Sequence, residues 1–272
     1  MNDHARIAFI GGGNMASALI AGLIQKGRRP HELLAVEIDA ARREQLARDY
    51  GIAVAPAPDA RLAEADVLVL AVKPQQMREA CAALRPFIGQ QLVLSIAAGI
   101  RIADLARWLG TDRIVRSMPN TPALIGRGIS GLAAGPAVTP AQRDRAAQIL
   151  QAVGTVVWLD DEAQLDAVTA ISGSGPAYVF YFIEALIEAG RAMGLSQEQS
   201  RRLAIETLVG ASHLAAESGE PPEVLRARVT SKGGTTAAAI ESMEADQIKA
   251  KIVAAVRAAQ RRAAELGDEF GK

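Results

Sequence analysis

Arg6-Ile7-Ala8-Phe9-Ile10-Gly11-Gly12-Gly13-Asn14-Met15-Ala16, a short apolar run that breaks into three glycines, decides the fold. The glycines lead on to Leu19, Ile20, Leu23 and Ile24, which share one face of a 3.6-residue period. A strand, a glycine turn and a helix, in that order, are the context a G-x-G-x-x-G/A pattern requires before it means anything. Gly11 permits the tight turn, Gly13 lets the backbone approach a pyrophosphate, and Ala16 keeps the helix close to the strand. Ile10, Gly11, Gly12, Gly13, Asn14 and Met15 are therefore expected to bind a dinucleotide.

Downstream, Leu33-Leu34-Ala35-Val36 reads as a second strand that ends in Glu37-Ile38-Asp39. An acidic residue at this place holds the adenosine ribose hydroxyls, whereas a nearby arginine accommodates a 2′-phosphate. Glu37 and Asp39 favour NADH; Arg42 and Arg43 allow NADPH, unless with Arg48 they only form a solvated helix face. Both cofactors stay open. Asp66 to Val72 and Gln91 to Ile96 are near-continuous apolar runs, the mark of buried parallel strands whose C-terminal ends meet the ligand crevice. That places Ala71, Val72, Lys73 and Pro74, together with Ala97 and Ala98, at the cofactor. A fifth strand, Arg113 to Met118, enters Pro119-Asn120-Thr121-Pro122, whose two prolines force a rigid extended turn. Such a turn positions something, and Asn120 is its candidate substrate contact. A short strand at Ile129 to Ala133, a helix opened by Thr139-Pro140 and a last strand at Val153 to Leu159 complete this half.

After Asp160-Asp161-Glu162 the strand signals stop. The expected organisation is an α/β Rossmann-type domain with a mostly parallel sheet over 1–160, followed by an all-α domain over 161–272. Ser172-Gly173-Ser174-Gly175-Pro176 reads as a capped helix start. The helix it opens is apolar on almost every face from Tyr178 to Ile183, so something must surround it. In so short a helical half the cover is a second copy, which predicts a homodimer with intertwined helical domains. Ser196-Gln197-Glu198-Gln199 is a capping box for a long helix, Gly219 to Pro222 break it, Val224 to Val229 form a short helix, and a final helix runs from about Asp246 to Leu266. Between the last two lies Thr230-Ser231-Lys232-Gly233-Gly234-Thr235-Thr236, a turn of hydroxyls and glycines running into an alanine helix. Free amides and the positive end of a helix dipole make it a seat for a small anion. The alternative is an ordinary cap, with Thr235 or Thr236 closing the helix.

Composition narrows the partners. The chain has 272 residues, half of them hydrophobic, and 30 acidic against 30 basic side chains, so neither a nucleic-acid footprint nor a polybasic membrane segment is expected. A single cysteine, Cys81, excludes an internal disulfide framework, and His4, His31 and His213 show no metal-ligand spacing. No stretch is expected to reach the roughly 20 apolar residues of a membrane span. A small-molecule enzyme of the cytoplasm fits these limits.

Several separated strings, taken together, resemble the pyrroline-5-carboxylate reductase family over essentially the whole chain. They are F-I-G-G-G-N-M-A at Phe9 to Ala16, A-V-K-P at Ala71 to Pro74, S-I-A-A-G at Ser95 to Gly99, M-P-N-T-P at Met118 to Pro122, S-G-S-G-P-A-Y at Ser172 to Tyr178, and the Thr230 to Thr236 turn. The resemblance implies NADPH- or NADH-dependent reduction of 1-pyrroline-5-carboxylate to L-proline, with helix-swapped dimers. It implies that the substrate carboxylate is held at Ser231, Gly233, Gly234 and Thr235, and that the Thr236 hydroxyl approaches the ring nitrogen. Two positions depart from the family: Lys232 stands where proline is common, and Pro58-Asp59 stands where an asparagine can occur near the adenosine pocket. Related cyclic-imine reductases fit the same pattern. A β-hydroxyacid dehydrogenase would need a lysine acid on the central helix, and Tyr178 to Met193 has none. A non-catalytic NAD(P) sensor would not need the anion seat.

Overall fold

Ile7 and Phe9 point to one face of the first strand and Ala8 and Ile10 to the other, and all four are buried. A strand buried on both faces lies inside a sheet covered by helices on both sides. The computed structural model, which describes residues 5–271, shows this arrangement. Its strands are β1 Ile7–Ile10, β2 Leu33–Val36, β3 Ala53–Ala55, β4 Val67–Leu70, β5 Leu92–Ser95, β6 Ile114–Met118, β7 Gly128–Ala134 and β8 Gly154–Trp158. They form one sheet in the order β3-β2-β1-β4-β5-β6-β7-β8. Every pairing is parallel except β6 with β7, so the last two strands run against the first six. Strand order reverses beside β1, between β2 and β4, which is the switch point where α/β sheets open a ligand crevice.

Helices α1 Asn14–Gln25, α2 Ala40–Tyr50, α3 Met77–Leu84, α4 Ile102–Leu109 and α5 Pro140–Gln151 flank the sheet. Leu19, Ile20 and Leu23 of α1, Leu46 of α2 and Ile149 and Leu150 of α5 pack with Phe9, Val69 and Leu94 on one face. Met77, Cys81 and Leu84 of α3 and Leu105 and Leu109 of α4 pack with Ile10, Leu68 and Val93 on the other. Burial pushes the Cys81 thiol up to about 12, so it is a core filler and no thiolate nucleophile at neutral pH. Thr139 caps α5 reciprocally with Gln142, as its sequence predicts.

The helical part begins differently from expectation. Instead of a capped start at Ser172, α6 Gln164–Val168 runs through a π-helical turn, Thr169–Gly173, directly into α7 Gly175–Ala192. Thr169 and Ser172 spend their hydroxyls on the carbonyls of Leu165 and Val168 one turn back, so neither serves as a cap. Arg116, buried on β6, lies 2.9 Å from Glu162 and 3.9 Å from Asp166, and Glu162 also accepts the Ile102 amide at 2.8 Å. These contacts hold 162–174 to the sheet, and the first compact unit accordingly extends to Ser174.

That unit also takes in the chain from Ala259 onward. The tail of α11 Ile248–Phe270 packs Phe270 beside Gly99, pairs Asp268 with Arg101 at 2.6 Å, and accepts Arg107 on the Gly271 carbonyl. The second unit, Gly175–Ala258, contains α7, α8 Gln197–Glu217, α9 Pro222–Arg228, α10 Thr235–Ala245 and the start of α11. Its α7 and α8 pack closely where Gly190 meets Ser200, and the Ser196–Gln199 capping box opens α8 as the sequence predicts. By contacts, the chain leaves the first unit at 174–175 and returns to it at 258–259.

The expectation that no stretch could span a membrane needs correction. The helical run Gln164–Ala192 is long and apolar enough by length and composition. Length alone does not choose between lipid and protein as its cover. The π-turn interrupts the run, and Asp166 near its start lies 3.9 Å from Arg116 of β6.

Candidate functional site

In the first unit, the carboxyl ends of β1, β2 and β4 enclose a cavity of about 550 Å3. Of the residues expected at a dinucleotide, Ile10, Gly11, Gly13, Glu37, Asp39, Ala71, Val72 and Lys73 line it. Gly11 is wedged at the turn, with φ +97°, its amide on the Val36 carbonyl at 2.8 Å, and the Ala71 carbonyl 2.8 Å from where a Cβ would stand. Gly13 is the opposite case: nothing lies within 4 Å of its missing Cβ. It caps α1 with extended φ and ψ, so its bare backbone faces the cavity at a helix N-terminus. A pyrophosphate fits such a cradle through helix amides and dipole.

The remaining expected cofactor residues stand outside the lining. Gly12 lies behind the turn and donates its amide to Glu37 Oε2 at 2.7 Å. Asn14 and Met15 begin α1. Pro74 opens a 3-10 turn after β4, and Ala97 and Ala98 follow β5, with Ala97 buried. Pro58, which the resemblance sets near the adenosine pocket, lines the cavity with Pro56 and Ala57, which sequence reasoning missed together with the Ala80 and Ala83 side of α3. Both walls are small, rigid and apolar, suited to the faces of a planar base.

Glu37 is fixed at both oxygens, since Oε1 accepts the Asp39 amide at 2.9 Å while Oε2 holds Gly12. Asp39 caps α2 through the Arg42 amide at 2.7 Å. Of the three arginines read as a solvated face, Arg48 is exposed, while Arg42 and Arg43 are held by hydrogen bonds. Arg42 donates from Nε to the Gly12 carbonyl at 2.7 Å, from Nη2 to Ser17 and from Nη1 to Gln45. Arg43 Nη1 is shared between the Glu37 and Ile38 carbonyls, both at 2.8 Å. Nearby, Asp59 and Arg61 close on each other at 2.6 Å, and the hydrogen bonds from Arg61 hold the Asp59 carboxyl below its usual range.

Asn120, expected at the substrate, is committed at both ends of its amide. Nδ2 donates to the Ser172 carbonyl at 3.1 Å and Oδ1 accepts the Ile129 amide at 2.9 Å. It braces the proline turn against β7 and the π-turn.

In the second unit, the anion seat takes a definite form. Gly233 sits at φ +73°, Gly234 donates to the Ser231 carbonyl at 3.0 Å, and Gly234 is the N-cap of α10. A Cβ on Gly234 would lie 2.6 Å from Ser231 Oγ. Thr235 and Thr236 are thus the first two helical residues and not caps. Because the cap has no side chain, no hydroxyl closes the helix, and the first amides of α10 are left for a ligand or water. Among the described residues, the hydroxyls of Ser231, Thr235 and Thr236 have no hydrogen-bond partner within the chain. Lys232 is exposed beside them. His31 and His213 are not part of either constellation, and His4 lies outside the described residues.

A doubly wound sheet with a glycine-turn cavity at its switch point defines an NAD(P)-dependent oxidoreductase of the Rossmann class. Residues 6–99 match the family model described as NADP oxidoreductase coenzyme F420-dependent, and residues 162–266 match pyrroline-5-carboxylate reductase dimerisation. The pyrroline-5-carboxylate reductase of Pseudomonas aeruginosa is 49% identical over 98% of this chain and 98% of its own length. That of Synechocystis is 40% identical over 96% of this chain and 98% of its own. Among solved structures, a pyrroline-5-carboxylate reductase from Coxiella burnetii superposes with a TM-score of 0.92 at 38% identity, covering 97% of this chain and 99% of that one. The Plasmodium falciparum pyrroline carboxylate reductase with NADP bound gives 0.86 at 30% identity, covering 97% and 98%. The chain belongs to the pyrroline-5-carboxylate reductase family.

Proposed function

We propose that this chain reduces 1-pyrroline-5-carboxylate to L-proline in the cytoplasm. The observation that carries the reading is the Ser231 to Thr236 turn, where the Thr235 and Thr236 amides open an 11-residue helix with no side-chain cap and, among the described residues, the Ser231, Thr235 and Thr236 hydroxyls have no partner within the chain. A ring carboxylate takes the amides of Thr235 and Thr236 and the Ser231 hydroxyl as donors, with the helix dipole adding attraction. When bound in the first unit, the reduced nicotinamide nucleotide supplies a hydride to the C=N carbon. The C=N electrons move to nitrogen, which carries a proton already or takes one as the bond is reduced. The Thr236 hydroxyl accepts the N–H of the protonated imine, or donates to the nitrogen where a lone pair is present or forms on reduction, and so holds it in place. A protonated cyclic imine is electrophilic without further activation, so orientation accounts for most of what the protein must add.

Ser231→Ala removes one charge-assisted donor from the carboxylate in both ground and transition states. KM for the imine is expected to rise roughly 10-fold with kcat little changed. An unaltered KM would leave Ser231 as a turn residue only.

The exposed apolar side chains of the second unit support a homodimer with intertwined helical domains. Val179, Phe180, Tyr181 and Phe182 of α7, Leu203 and Leu214 of α8, and Ile252 and Val253 of α11 are all exposed, with Tyr181 at 77%. So large an apolar surface marks an interface. The matched dimerisation segment covers it, and this favours protein over lipid against α7. Light scattering at micromolar concentration is expected to give twice the 28.6 kDa chain mass, and the chain mass itself would overturn the assembly.

A further inference from the structure

We propose that this chain selects NADH over NADPH, and that the Glu37 carboxylate makes the selection. The proposal rests on the dinucleotide reading of the first unit. Glu37 stands at the end of β2, where the adenosine ribose of a Rossmann cofactor comes to lie. Its two oxygens are pinned by the Gly12 and Asp39 amides, so the carboxylate cannot swing aside. Each oxygen keeps lone-pair capacity for a vicinal ribose hydroxyl. Two hydroxyls complete this site.

A 2′-phosphate reverses the balance. It brings acceptor oxygens where the protein has only an acceptor, and about −1.5 to −2 of charge against a fixed negative one. The positive groups that could compensate are engaged elsewhere. Arg42 is turned behind the glycine loop onto Gly12, Ser17 and Gln45, and does not line the cavity. Arg43 is also absent from the lining and has Nη1 on two backbone carbonyls. Among the described residues, the ionic groups that do line it are Glu37, Asp39 and Glu79 against Lys73. Lys73 follows β4, which lies two strands from β2 across β1, about 10 Å at ordinary strand spacing. Lys73 therefore serves a different part of the ligand.

The test is calorimetric titration of NADH and NADPH into the intact wild-type protein and into Glu37→Gln and Arg43→Ala, without substrate. The wild type is expected to bind NADPH at least roughly 30-fold more weakly than NADH. Glu37→Gln retains an amide oxygen for Gly12 N–H while losing the charge, and should narrow that ratio about 10-fold, mainly by tightening NADPH. Arg43→Ala should leave the ratio unchanged. Equal affinities in the wild type, or tighter NADPH, would overturn the proposal while leaving the dinucleotide site standing. A wild-type preference that Glu37→Gln does not alter, or that Arg43→Ala enlarges by weakening NADPH, would remove Glu37 as its cause. Binding of neither nucleotide would overturn the dinucleotide reading itself.

Discussion

Gly13→Ala is expected to leave the fold intact and weaken nucleotide binding roughly 100-fold, the scale of forcing a methyl into a filled contact. Among the described residues nothing lies within 4 Å of where a Cβ at Gly13 would stand, and its backbone is extended, so alanine costs the empty protein little. The methyl enters only the space the pyrophosphate needs. Gly11→Ala should behave in the opposite way. At φ +97° alanine is strained, and its Cβ would meet the Ala71 carbonyl at 2.8 Å, where β1 hands over to β4. Backbone strain and overpacking together are expected to cost about 3–4 kcal/mol of stability. Urea unfolding and nucleotide titration of both variants separate the two effects. Tight nucleotide binding by Gly13→Ala would mean that the glycine turn is a packing device and that the phosphate lies elsewhere.

Thr236→Ala is expected to lower kcat roughly 10- to 100-fold with nucleotide affinity unchanged, as loss of a group that acts on the reacting nitrogen should. Thr236 is the second residue of α10, and its hydroxyl has no partner in the chain among the described residues. Removing it therefore leaves no orphaned group, and the melting temperature should hardly move. Thr236→Ser keeps the hydroxyl and should recover most of the rate. Wild-type kinetics in the alanine variant would refute the role, and a failed serine rescue would point to the methyl group as the important part.

The first half of the fold was legible because its strands are buried on both faces and its glycine turn has a local cause. Gly11, Gly13 and Glu37 could be placed from the order of elements alone. What was not legible depends on contacts far apart in sequence or on weak local signals. β3 is three residues, Ala53–Ala55, with only Ala55 buried, too short to show a period. Without it Pro56 and Ala57 had no position. Arg42 and Arg43 carry the spacing of a solvated face, yet Arg42 is held by Gly12, which lies 30 residues earlier. Ser172 to Pro176 contain every residue of a helix start, but the serines and threonines there bond backward and the helix simply continues through a π-turn. The return of α11 to the first unit is fixed by Asp268 and Phe270 meeting Arg101 and Gly99. No local pattern announces such a contact. At the anion seat the order of hydroxyls and glycines is compatible with both capping and binding. Gly234 takes the cap, so Thr235 and Thr236 have no capping role.

The most direct measurement is the steady-state loss of reduced-nicotinamide absorbance with 1-pyrroline-5-carboxylate as substrate, run with NADH and with NADPH and with L-proline identified as product. Turnover is expected to depend on both imine and nucleotide, with NADH giving the higher kcat/KM. Nucleotide binding without any imine-dependent oxidation would contradict it and reduce the chain to a dinucleotide-binding protein with an unused anion seat.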